Sequence, residues 1–208
     1  MTQSPDSFAS FNALNSFTVT VEYAHSHTTF LARVKDRQDP VVRAHKETHY
    51  DGARPYTVTT GQALTECVGY INEWQAWLPD RTPVGSVERK SPTHGADRWT
   101  FAQRDLGELT GEPVGAGSLL RLDSPVRMAF DIAQVNDILP HCLRFGSDAS
   151  EGFEVSRPAG IRSNYEVTVH DPRISRLLLF SCLTQFNRFV ASDPRKNLVD
   201  LASNPLKG

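Results

Sequence analysis

Apolar and polar positions alternate in short stretches over most of this chain, from residue 17 to residue 170. Phe17-Thr18-Val19-Thr20-Val21-Glu22-Tyr23 places aromatic and β-branched side chains at every second position, the pattern of a half-buried strand. Comparable stretches predict strands at Thr29–Val34, Pro55–Thr60, Glu66–Ile71, Glu73–Leu78, Gly85–Arg89, Arg98–Gln103 and Tyr165–Val169. Pro, Gly and Asp separate them at turn spacing, which favours a sandwich or barrel over βαβ units.

The pattern changes after Val169. Asp171 is a good N-cap, Pro172 suits the first helical position, and Pro194 stops the segment, which predicts a helix over about residues 172–191. Its apolar side chains at 174, 177, 178, 179, 180, 182, 183, 186, 189 and 190 point in nearly every direction. Such a helix must be surrounded. The uncharged run between Arg176 and Arg188 is well short of the roughly 20 apolar residues of a bilayer span, so the surround is protein. The expected fold is mainly β (α+β), a β structure wrapped around a buried C-terminal helix.

Val126–Ile132 alternates like a strand, although 128, 132, 135 and 139 also share a helix face between Ser124-Pro125 and Pro140. A loose internal echo links Val34-Lys35-Asp36-Arg37, Leu78-Pro79-Asp80-Arg81 and Gln103-Arg104-Asp105-Leu106. It reads either as a repeated strand–turn–strand unit closed by Asp, or as coincidence among common turn residues.

Composition narrows the class. The 208 residues are 39% hydrophobic and 22% charged with a net charge of -2, ordinary for a soluble domain and without global attraction to nucleic acid. Residues 1–15 show no basic and apolar leader and read as a poorly ordered lead-in, with one domain over 16–192 and a tail over 193–208. Thr2 stands where myristoylation needs Gly, and the C-terminus lacks a prenylation cysteine. Cys67, Cys142 and Cys182 form no CxxC pair, so neither zinc nor a disulfide framework is expected, and a reducing cytoplasm is the natural compartment.

Three features together carry a resemblance: Trp77-Leu78-Pro79-Asp80 with Gly85, Trp99-Thr100-Phe101 with Asp105 and Gly107, and Tyr165-Glu166-Val167-Thr168-Val169-His170-Asp171 feeding the helix. In this pattern, over roughly residues 17–191, the chain resembles the tubby C-terminal-like superfamily, with its tubby domains, phospholipid scramblases and LURP-one-related proteins. The resemblance implies a closed barrel of about 12 antiparallel strands threaded by a central hydrophobic helix. Tubby domains bind phosphoinositides through a basic pocket. Scramblases carry an acidic calcium-associated segment beside the helix and a cysteine-rich palmitoylated stretch. Here Asp193-Pro194-Arg195-Lys196 follows the helix and the cysteines are scattered, so scrambling is not expected.

Few residues suggest chemistry. His25 and His27 would share a strand face, and His45 and His49 stand four apart; they read as surface histidines unless the two segments lie side by side. Gly115-Ala116-Gly117-Ser118 reads as a flexible turn rather than a nucleophile elbow. His141 and Cys142, as strand neighbours, point oppositely. Trp74, Trp77 and Trp99 read as barrel-wall residues. No catalytic residue, metal or cofactor is expected.

The remaining candidates are the basic residues of the C-terminal third: Arg157, Arg162, Arg173, Arg176, Arg188, Arg195 and Lys196. Gathered at one barrel end, Arg157, Arg162, Arg173, Arg176, Arg195 and Lys196 would hold a phosphorylated headgroup. The expectation is a non-enzymatic, cytoplasmic domain that meets anionic phospholipid at a membrane surface, with no transmembrane span and no nucleic acid partner. The alternatives are a helix-grip carrier of small molecules, which needs helices between residues 24 and 50, and a protein-interaction module.

Overall fold

The computed structural model describes residues 5–24, 27–47, 54–90, 97–115, 140–159 and 163–190. Twelve strands follow one another around a closed antiparallel barrel. The first half comprises β1 (Ser16–Tyr23), β2 (Thr28–Arg33), β3 (Val42–Lys46), β4 (Tyr56–Thr60), β5 (Glu66–Ile71) and β6 (Gln75–Trp77). The second comprises β7 (Pro83–Lys90), β8 (Arg98–Gln103), β9 (Gly107–Val114), β10 (His141–Ser147), β11 (Ser150–Arg157) and β12 (Asn164–Val169). β1 closes the ring. It pairs with β2 through Val19↔Ala32 and with β12 through Val19↔Tyr165, so neither terminal strand is an open edge.

The alternation has its expected consequence. Phe17, Val19 and Val21 of β1 are buried, while Ser16, Thr18 and Glu22 are exposed. On β12 the same division puts Tyr165, Val167 and Val169 inside and Glu166 and Thr168 outside. Outward faces of this kind are polar, the reverse of a barrel standing in lipid.

Helix α2 (Arg176–Val190) fills the barrel. Every residue from Arg176 to Asn187 is buried. Phe180 meets Phe17 of β1 in a stacked contact at 6.1 Å, and Phe186 meets Trp99 of β8 and Tyr165 of β12 at 6.1 and 5.7 Å. On another side, two glycines let the helix come close to the wall. A Cβ on Gly69 of β5, at φ +154°, would lie 2.5 Å from Leu177 Cδ2, and one on Gly85 of β7 would lie 2.7 Å from Leu178 Cδ2. The buried polar side chains of α2 are mostly satisfied: Ser181 Oγ donates to Asn72 O at 2.6 Å and Thr184 Oγ1 to Ser181 O at 2.8 Å.

The helix starts four residues later than the Asp171-Pro172 signal suggests. Asp171 instead closes a turn, its Oδ1 accepting from Arg173 N at 2.9 Å, and its carbonyl accepts from Ile174 N at 3.1 Å. Ser175 is the cap, with Oγ accepting from Leu178 N at 3.4 Å. A second difference lies at the N-terminus. Residues 5–12, expected within a poorly ordered lead-in, form helix α1 (Pro5–Asn12), anchored by Phe11 against Phe180 at 6.1 Å.

The three echo segments each form a turn closed by the same hydrogen bond, but with different backbone: Asp36 has φ 69°, whereas in the other two the positive φ falls after the Asp, at Arg81 and Gly107. Arg37 N donates to Val34 O, Arg81 N to Leu78 O and Leu106 N to Gln103 O, at 3.2, 2.9 and 3.2 Å, each with Asp third in the turn. They join β2–β3, β6–β7 and β8–β9. Because strand direction alternates, all three lie at the end where β12 hands over to α2. Val126–Ile132, Ala116–Ser118 and the 193–208 tail lie outside the described residues.

Candidate functional site

The barrel has a helix-entry end and a helix-exit end, and the basic residues of the C-terminal third divide between them. Arg176 is fully buried at the entry end. Its Nε donates to Leu14 O at 2.6 Å, Nη2 to Asn15 Oδ1 at 2.8 Å, and Nη1 to Pro172 O at 3.3 Å and to Ile174 O. Burial lowers its proton affinity to about 10, which leaves it charged near neutrality. Every direction of this guanidinium is occupied by the chain itself.

Arg173 lies near it, with its side chain 60% exposed but committed to Asp171 at 2.6 Å and to Ala149 O at 2.8 Å. Ser150 Oγ donates to the same carboxylate at 2.5 Å. The Arg173 guanidinium and these hydrogen bonds hold Asp171 well below the usual carboxylate range. Ser150, Asp171 and Arg173 form a lock at the β10–β11 turn, in which the group accepting from the serine hydroxyl is a carboxylate whose low proton affinity makes it a weak base.

Arg157 is buried at the exit end, where Nη1 donates to Val190 O at 3.3 Å. The 15 residues of α2 separate it from Arg176 by about 22 Å. The structure therefore brings Arg173 and Arg176 to one end and Arg157 to the other. Arg162, Arg195 and Lys196 lie outside the described residues.

The exit end carries a different set of side chains. Lys46, at the end of β3, sits over the Tyr56 ring at 5.7 Å. Burial and, second, the Glu73 carboxylate push the Tyr56 hydroxyl up to about 12. Glu73 pairs with Arg188, the last basic residue of α2, whose side chain is 70% exposed. Next in the chain stands Trp74, 49% exposed, in a turn held by Asn72 Oδ1 accepting from Trp74 N and Gln75 N at 2.8 Å each. Composition alone did not separate Trp74 from the buried Trp99. The usable signal was Asn72-Glu73, polar turn residues directly before it.

Just inside this end, Tyr23 and Tyr165 hydroxyls both donate to Asn187 Oδ1, at 3.0 and 2.6 Å, tying α2 to β1 and β12. His141 and Cys142 do alternate: His141 is buried and stacks on Phe186 at 5.3 Å, while Cys142 faces partly outward. Burial and, second, Glu154 raise the Cys142 thiol, which disfavours the thiolate a nucleophile needs. His27 and His45 come together on the outer wall, ring centroids 5.1 Å apart, whereas His25 and His49 lie outside the described residues.

No protein-family model, curated protein or solved structure matches the chain.

Proposed function

We propose that this chain is a non-enzymatic barrel domain that docks by its helix-exit end on anionic phospholipid surfaces. The observation that carries this reading is Trp74, half-exposed in the β5–β6 turn directly after Glu73, at the same barrel end as Arg188 and Lys46. An exposed indole with cations at the same end suits the membrane interface, where the ring sits at headgroup level and each cation adds about 1 kcal/mol near an anionic leaflet. Among the described residues no helix is long and apolar enough to cross a membrane, so contact by α2 or α1 would be peripheral. The resemblance of the strand pattern and helix to the tubby-like superfamily points to the same ligand class, in a cytoplasmic, peripheral setting.

The helix-grip alternative has less support. The described residues between 24 and 47 form β2 and β3, where that reading needs helices, and α2 is buried on every side rather than facing a cavity.

Vesicle co-sedimentation tests the proposal. The full chain is expected to pellet with phosphatidylcholine vesicles containing phosphatidylserine and not with phosphatidylcholine alone. Trp74→Ala and the Lys46→Glu, Arg188→Glu pair should each weaken that binding several-fold. Equal behaviour on both vesicle types would remove the proposal.

A further inference from the structure

We infer that His27 and His45 form a surface site for a tetrahedral divalent transition-metal ion, zinc being the type case. The register places them together. β2 and β3 pair Thr28↔Lys46 and Thr29↔His45, so residue 27 lies on the same face as residue 29 and diagonal to His45. The tight β1–β2 connection, closed by Ala24 N donating to His27 O at 2.9 Å, returns His27 to that position.

The ring separation fits a shared ion. Two imidazole nitrogens at about 2.0–2.1 Å from zinc put each ring centre about 3.2 Å from the metal, and a tetrahedral angle then separates the centres by about 5.2 Å. The observed separation is 5.1 Å, with the rings inclined at 53°. A square-planar ion with adjacent ligands would need about 4.5 Å by the same construction, which disfavours copper(II) geometry.

The surroundings support ligation. Thr29 Oγ1 lies 2.8 Å from His45 Nδ1, an outer hydrogen bond of the kind that fixes the ring and leaves Nε2 as the ligand atom. The Glu47 carboxylate acts on His45 through its charge and favours a nearby cation, in the opposite sense to Arg43. No group of three or more ligating side chains occurs among the described residues. Two imidazoles therefore leave positions to water or to a donor from another molecule, as in open sites rather than closed structural ones.

The test uses the full chain with zinc sulfate in calorimetry and cobalt(II) chloride in absorption spectroscopy. One zinc per chain and a tetrahedral cobalt spectrum are expected. His27→Ala and His45→Ala should each lower affinity at least tenfold, and the double variant no further, because both rings hold one ion. Circular dichroism checks that these outer-wall variants remain folded. Substoichiometric zinc on the unaltered chain should also shift the imidazole resonances of His27 and His45 first, which needs no variant. No zinc bound, binding unchanged in both variants, or an octahedral cobalt spectrum would overturn the inference.

Discussion

Arg176 shows how little a residue type says about its role. In the sequence it is one cation among several flanking an apolar helix, and so a candidate for an anionic ligand. In the fold it satisfies carbonyls of Leu14, Pro172 and Ile174 and the Asn15 amide oxygen, clamping the α1–β1 segment to the start of α2. The clue was position: Arg176 sits between Ile174 and Leu177, both inward-facing, at the end where several chain segments meet. Replacing it by Met leaves at least two buried acceptors unmatched at about 1–3 kcal/mol each, so Arg176→Met should cost about 3 kcal/mol or more in urea denaturation. A loss under about 1 kcal/mol would show the clamp to be dispensable. Gln185 is the opposite case. Its amide is buried and neither Nε2 nor Oε1 has a hydrogen-bond partner. Gln185→Met keeps the length of the side chain and removes that desolvation cost, so stability should rise by about 1 kcal/mol; a fall would mean the amide is satisfied in solution.

At the scale of elements, the strands read correctly are mostly those in which branched or aromatic residues alternate with polar ones. Arg98–Gln103 is the observed β8, whereas Glu66–Ile71, the observed β5, was read correctly without strict alternation. β3, β9, β10 and β11 were not among the expected strands; β9 is the hardest to read, because Gly107-Glu108-Leu109-Thr110-Gly111-Glu112-Pro113-Val114 is poor in strand formers. Its place is set by neighbours: a Cβ on Gly111 would lie 2.6 Å from the Phe145 ring of β10 and 2.8 Å from Trp99 Cβ of β8. Only tertiary packing makes that glycine useful, and sequence periodicity cannot see it. The helix was legible for a sturdier reason, since ten apolar positions distributed around it leave no face for water. Its start was misplaced because Asp171 and Pro172 suit a tight turn as well as a helix N-terminus. Leu178 and Gly85 together test the close approach of α2 to β7. Leu178→Ala should cost about 2–5 kcal/mol, as for other buried leucines. Gly85→Ala drives a methyl toward Ala102 O and Leu178 Cδ2, so it should destabilise on its own and less so when Leu178 is already Ala. Strict additivity of the two in denaturant titration would place them out of contact.

At the scale of the whole molecule, the closed ring and its filled centre depend on each other. Twelve strands around a helix leave α2 no exit that does not break the barrel, because β1 is hydrogen-bonded on both sides and Asn187 is tied to β1 and β12 at once. The amides of Leu177–Phe186 should therefore exchange with deuterium only through global unfolding, while turns such as 61–64 exchange by local opening. This bears directly on how a membrane would be met. If docking uses the exit end as a rigid surface, anionic vesicles should leave the slow exchange of 177–186 unchanged and slow the amides around Asn72–Trp77. Fast exchange of 177–186 without vesicles would mean that the helix leaves the barrel readily. Loss of its protection only when vesicles are added would mean that α2, and not the Trp74 turn, is the part that enters the lipid.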